Sequence, residues 1–182
     1  MRHIKIIRSI SLIISLFLIT SCSNNSAMKP EDFKNKEPRL IIEEYLSGNV
    51  KAWGVLQNRS GKVTRQFSAD LNGSWDGKQL ILNEKFNWDD GEIQNREWTI
   101  NKIDENNYEG TAGDVVGKAI GYSYGPAFKF EYVLLVPVKG KEMKITFDDW
   151  IFKQDDRVAI NRATMTKFGF KVAELTVVFV KD

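Results

Sequence analysis

From Gly48 to the C-terminus, apolar and polar side chains alternate with a period of two, the pattern of strands that bury one face. Turn signals divide this stretch into segments near 50–57, 62–74, 78–88, 92–103, 106–112, 115–124, 127–137, 141–153, 157–168 and 170–180. The connections are short: Asn58 to Gly61, Asp76-Gly77, Asp89-Asp90-Gly91, Lys139-Gly140 and Asp155-Asp156. Each suits the joining of antiparallel neighbours. So many successive hairpins leave open edges unless the sheet closes on itself. The pattern therefore predicts a mainly β domain, an antiparallel up-and-down β-barrel of about ten strands. Lys129 and Glu131 alternate with Phe128, Phe130, Tyr132 and Leu134, placing charge outside and rings inside. A lipid-facing barrel reverses that order, so a soluble barrel is expected.

One short N-terminal helix precedes the strands. It opens at Pro38, carries an apolar stripe of Leu40, Ile41, Ile42, Tyr45 and Leu46, ends at Ser47-Gly48, and could cover one mouth of the barrel. Residues 22–37 are polar and interrupted by Pro30, which suits a flexible tether. Residues 1–21 have the order of a secretory signal: basic Arg2, Lys5 and Arg8, an apolar core from Ile10 to Ile19, then small residues before a cysteine. A membrane-spanning helix needs roughly 20 apolar residues, and this core is too short. Ile19-Thr20-Ser21-Cys22 resembles the lipobox of bacterial lipoproteins, in which the cysteine is acylated and becomes the new amino terminus. At about 0.8 kcal/mol per buried methylene, several acyl chains make a stable tether. Ser23 stands where an aspartate would favour retention at the inner membrane, so the expected location is the outer membrane, facing the periplasm. The organisation read from the chain is signal 1–21, tether 22–37 and one barrel domain, 38–182.

Removing the signal from the 182 residues takes away three basic side chains and leaves 23 basic against 24 acidic, so the basic balance of the whole chain does not belong to the domain. No electrostatic footprint for nucleic acid remains. The single histidine, His3, lies in the signal and the single cysteine is Cys22, leaving the domain without imidazole or thiol. This excludes Ser-His-Asp and Cys-His catalysis, the usual zinc sites and disulfides. Asp89-Asp90-Gly91 lacks the alternating ligands of a calcium loop, and Gly113–Lys118 fails as a phosphate loop, so no metal or cofactor is expected.

Two carboxylates fall on apolar strand faces. Glu84 follows Leu80 and Leu82 and precedes Phe86 and Trp88; across a three-residue hairpin at 89–91 it faces Arg96, as Leu82 faces Trp98. The hairpin at Asp155-Asp156, counted with paired positions summing to 311, sets Asp149 opposite Arg162. Buried pairs of this kind can pin strand register. Alternatively, an arginine fork inside an apolar barrel can receive an anionic head group. A general base at Glu84 or Asp149 is a third reading, weakened because a carboxylate beside arginine is a poor acid. The five tryptophans and the glycines from Gly110 to Gly125 read as core and as strand-bending devices. Asp114 could cap or turn the chain.

Asn58-Arg59-Ser60-Gly61, Asp90-Gly91 with Arg96 and Trp98, Gly110 to Gly117, Asp148-Asp149-Trp150, Asn161-Arg162-Ala163 and Lys167-Phe168-Gly169 together resemble a bacterial lipoprotein family, domain of unknown function 3833. The resemblance implies a calycin-like barrel, comparable with lipocalins and fatty-acid carriers. The expectation is a membrane-anchored protein that binds a fatty acid or lipid-like molecule. Arg96 and Arg162, with Glu84 and Asp149, would contact the head group, and Trp98, Phe128, Phe130 and Tyr132 would line the cavity. The alternatives are a non-catalytic structural or interaction module of the envelope and a cofactor-free enzyme acting on lipid.

Overall fold

The computed structural model describes residues 27–138 and 140–182. The signal and the lipid-bearing Cys22 read from the sequence lie outside the described residues. Ten strands form: β1 (Gly48–Asn58), β2 (Val63–Trp75), β3 (Gln79–Trp88), β4 (Ile93–Lys102), β5 (Asn107–Ala112), β6 (Ala119–Tyr124), β7 (Ala127–Val138), β8 (Lys141–Lys153), β9 (Val158–Lys167) and β10 (Phe170–Lys181). Each pairs with its sequence neighbours, and β1 pairs antiparallel with β10, so the sheet is a closed barrel as the alternation predicts. Among the described residues no helix is long and apolar enough to cross a membrane.

The loops follow from local chemistry. Asn58 N–H donates to the Lys62 carbonyl and Trp88 N–H to that of Glu92, both at 2.9 Å, closing three-residue turns in which Gly61 and Gly91 take φ of 83° and 87°. The stretch expected as a strand from residue 115 begins only at Ala119. Before it, the 113–118 loop crosses over to β7, where Val116 N–H donates to the Val133 carbonyl at 2.8 Å and Leu135 N–H to that of Asp114 at 2.9 Å.

The inward row is apolar and changes in exposure along the barrel axis. Leu80 and Leu82 on β3, Ile100 and Trp98 on β4, Phe128, Phe130, Tyr132 and Leu134 on β7, and Ala159 and Ala163 on β9 are buried. Further along the same rows Phe86, Trp88, Gln94, Val136 and Met165 are only half-buried. Those residues mark one open end, where the β1–β2, β3–β4, β7–β8 and β9–β10 hairpins turn.

The opposite end is plugged. The helix is shorter than the stripe suggested, α1 (Ile42–Tyr45), yet Leu40, Ile42, Tyr45 and Leu46 all enter the core. Glu43, also buried at 3% exposure, accepts from Lys102 Nζ at 2.5 Å and from the Tyr108 hydroxyl at 2.9 Å. Burial pushes its carboxyl upward, but the Lys102 hydrogen bond, the backbone and Tyr108 together hold it below the usual glutamate range. At the other end of α1, Lys181 Nζ donates to the carbonyls of Glu44, Tyr45 and Ser47 at 2.7–2.9 Å, a cation satisfying helix C-terminal acceptors. Residues 27–182 therefore close every strand edge and plug one mouth with their own side chains, as a self-contained folding unit.

Within residues 22–37, expected as a flexible tether, the described part is docked at Pro30–Phe33. Pro30–Phe33 forms a 3₁₀ turn, and the Phe33 ring packs at 6.0 and 5.4 Å from Trp150 and Phe152 on the outer wall. This explains the partly apolar outer face of β8, which a polar tether would have left uncovered.

Candidate functional site: a polar cluster in the barrel interior

Midway between plug and mouth, the apolar row is interrupted by Glu84 on β3, Arg96 on β4, Asp149 on β8 and Asn161 on β9. The β3–β4 register is the expected one: Glu84 is cross-strand from Arg96, and Leu82 from Trp98. Arg96 Nη1 lies 3.9 Å from Glu84 Oε2. Its main partner is another residue. Arg96 grips Asp114 through Nε, at 3.1 Å to both oxygens, and through Nη2 at 2.7 Å. Asp114 reaches it because the 113–118 loop bends over toward β7. That non-local path leaves no signal in strand alternation, so the sequence reading saw Asp114 only as a turn residue.

The second expected pair does not form. In the β8–β9 ladder Asp149 is opposite Ala163, and Arg162 is opposite Trp150. Gln154 N–H donates to the Val158 carbonyl at 2.8 Å, closing a three-residue loop at 155–157, so paired positions sum to 312 instead of 311. The one-residue shift sends Arg162 outside, where it is exposed and paired with Glu174 at 2.9 Å. Arg162 cannot contact a ligand in the barrel. Asp149 stays inside without an arginine: the Tyr132 hydroxyl donates to Oδ2 at 3.0 Å and Asn161 Nδ2 donates to Oδ1. Asn161, buried at 3% exposure, also donates to the Trp150 carbonyl.

The interior thus holds three carboxylates around one guanidinium. The Glu84 side chain is only 11% exposed. Burial, reinforced by Asp149 and Asp114 and opposed by Arg96 and a hydrogen bond from the Trp98 side chain, pushes its carboxyl up to about 7. Burial likewise lifts Asp149 to about 6, against the hydrogen bonds from Asn161 and Tyr132. Burial first, then the Asp149 charge, drives the Tyr132 phenol well above its usual range. Near neutral pH the cluster is poised between protonation states, and its one cation is already shared between Glu84 and Asp114. Among the described residues no group of three His, Cys, Asp or Glu side chains is arranged to hold a metal.

The aromatics expected to line a cavity pack against one another. Trp98 lies 5.1 Å from Phe130 and 5.3 Å from Tyr132, and Tyr132 stacks on Phe147 at 5.0 Å. Phe128 sits deeper still, 1% exposed and edge-on to Tyr108 beside the plug. Phe130 fits there because a Cβ on Gly110 would stand 2.5 Å from its ring. These rings fill the lower half of the barrel and form the floor of the open half. The inward positions toward the hairpin end are the half-buried Leu56, Phe86, Trp88, Val136, Met143 and Met165, of which Phe86 and Trp88 lie on the apolar face expected around Glu84. Arg65 lies across Trp88 at 4.0 Å and is held by Asp90 and Glu92 at 2.8 Å each. Two surface depressions lie outside the barrel, a polar one around Lys51, Asp70 and Asn83 and a more apolar one around Trp53 and Val178.

Fold and interior together define a closed calycin-like barrel, plugged at one end by its own N-terminal segment and more exposed at the other, with an ionisable cluster at its waist. The chain belongs to the family described as protein of unknown function DUF3833, whose model matches residues 16–181. No curated protein matches the sequence. Among solved structures it is similar to the S-type phycobiliprotein lyase CPES from Guillardia theta, with TM-score 0.58, 10% identity, and coverage of 77% of this chain and 90% of that one. It is also similar to a DUF3598-family protein of unknown function from Nostoc punctiforme, with TM-score 0.60, 14% identity, and coverage of 81% of this chain and 51% of that one. At these identities the likeness establishes the fold alone.

Proposed function

We propose that this protein binds a lipid-like molecule in the open half of its barrel and is held at the bacterial envelope, at the outer membrane facing the periplasm, by acylation of Cys22. The observation that carries the ligand reading is the axial gradient of the inward row. Apolar side chains are sealed at the plugged end and reached by solvent at the other, with the charged cluster between the two. The apolar part of the ligand would lie against Phe86, Trp88, Val136, Met143 and Met165, and its polar end would reach Glu84, Arg96 and Asp149.

The cluster favours a particular head group. A free carboxylate would meet three protein carboxylates and an Arg96 fork already occupied by Asp114, whereas a hydroxyl, amide or amine would find acceptors. A fatty acid entering as its anion is therefore the less suited ligand. What supports the anchor is the order of basic, apolar and small residues before Cys22. Native mass spectrometry of the protein isolated from its own host reads both parts. The covalent mass should show acyl chains on a chain starting at Cys22, and a single noncovalent adduct should accompany the folded protein. A bare polypeptide mass would sink the anchor, and a folded protein with no adduct that also binds no added lipid would sink the ligand.

A further inference from the structure

The hairpin joining β9 and β10 turns on two residues, Phe168 and Gly169, since Lys167 and Phe170 are already paired. Both turn residues have positive φ, 51° and 80°. Such turns take Asn, Asp or Gly, because a bulky side chain in the left-handed region crowds its own backbone. Phe168 is instead an aromatic ring, 89% exposed, and Phe170 beside it is 69% exposed. Neither packing nor turn preference accounts for the two rings at this tip.

Its surroundings are basic. Lys167 and Lys171 flank the rings, with Lys167 Nζ 5.2 Å from the Phe168 ring centre. In the closed barrel the neighbouring hairpins at this end are β7–β8, which carries Lys141, and β1–β2, which carries Arg59, Lys62 and an exposed Val63. Lys171 is neutralised by Glu174, and Glu142 is the acid on the β7–β8 tip. Among the described residues, Arg59, Lys62, Lys141 and Lys167 have no carboxylate within salt-bridge distance. The acids Asp90 and Glu92 belong to the next hairpin round, where Arg65 holds both.

We propose that the Phe168–Phe170 hairpin is a membrane-docking tip that seats the open end of the barrel on an anionic phospholipid surface. Two rings enter the interfacial region while the surrounding cations meet phosphate groups, the combination that gives peripheral proteins their affinity for anionic bilayers. The mouth of the barrel then faces the lipid, separately from any tether at the amino terminus. The inference does not depend on what the barrel holds.

The test uses the unacylated folding unit, residues 27–182, in flotation assays with phosphatidylglycerol vesicles and with phosphatidylcholine vesicles. The parent protein should float with the anionic vesicles, less so as salt is raised. Phe168→Asn with Phe170→Ser should lower the bound fraction at least tenfold. Phe168→Asn alone should raise the melting temperature, because Asn suits the turn, so weaker binding cannot be blamed on unfolding. Absence of binding to phosphatidylglycerol vesicles, or equal binding by the double variant, would overturn the proposal. So would a concentration-dependent dimer abolished by the same substitutions, which would make a second copy of the chain the partner.

Discussion

Glu84 illustrates how one side chain can be retained at a cost to the fold. Its carboxyl is raised to about 7 and that of Asp149 to about 6, first by burial in each case. A carboxyl whose pKa is higher folded than unfolded favours the folded state below its unfolded value, and that contribution is lost as pH rises through the folded value. For these two groups, facing Arg96, Asp114 and Tyr132, the loss runs from about pH 4 to about pH 7. The barrel should therefore melt several degrees higher near pH 5 than at pH 8. Below about pH 4 the opposite group takes over: Asp76, Asp90, Asp104, Asp155 and Glu174, held low by hydrogen bonds, lose their contribution on protonation. Glu84→Gln should flatten the upper part of the profile and stabilise the protein at pH 8 by about 1–3 kcal/mol. Arg96 is not orphaned by this change, because Asp114 retains it. Thermal melts of both proteins across pH 4–8 check the point, and a Glu84→Gln variant less stable than its parent at pH 8 would refute it.

At the scale of elements, what could be read from the sequence was whatever short-range turn chemistry fixes. Asp89-Asp90-Gly91 contains the glycine a three-residue loop requires, so counting from it gives the Glu84–Arg96 pairing. The β8–β9 loop has no glycine. Asp155 fastens it instead, accepting from the N–H groups of Arg157 and Val158 at 2.8 and 2.7 Å, and nothing in the residue types distinguishes this count from one shifted by a residue. That shift alone moved Arg162 from the inside to the outside. Asp114 and Phe33 were hidden for a different reason: each reaches its partners across the fold, from a loop and from a polar leader. The plug also rests on a long-range contact. A Cβ on Gly73 would lie 2.0 Å from the Leu46 carbonyl oxygen, whereas one on Gly113 would meet open space. Gly73→Ala should displace α1 and speed amide exchange at Tyr45 and Leu46, with Gly113→Ala as the silent control. Unchanged exchange in Gly73→Ala would mean that the plug is not seated as described.

For the whole molecule, the barrel has two unlike ends. One is sealed by α1, Glu43 and Lys181; the other opens above a cluster of three carboxylates and one arginine and is rimmed by hairpins of contrasting charge. A barrel serving only as a scaffold has no need of this asymmetry, since burying three carboxylates around one arginine weakens a core that apolar side chains could fill. The most direct measurement is a fluorescence titration of residues 27–182 at pH 7.5 with matched long-chain probes ending in an amine, an alcohol or a carboxylate. The account predicts saturable binding of one probe per chain, tightest for the amine or alcohol and at least tenfold weaker for the carboxylate. It also predicts that Arg96→Leu, which removes the arginine of the cluster, does not improve binding of the carboxylate probe relative to the amine and alcohol. Failure of all three probes to bind a correctly folded barrel, or preferential binding of the carboxylate, would contradict it.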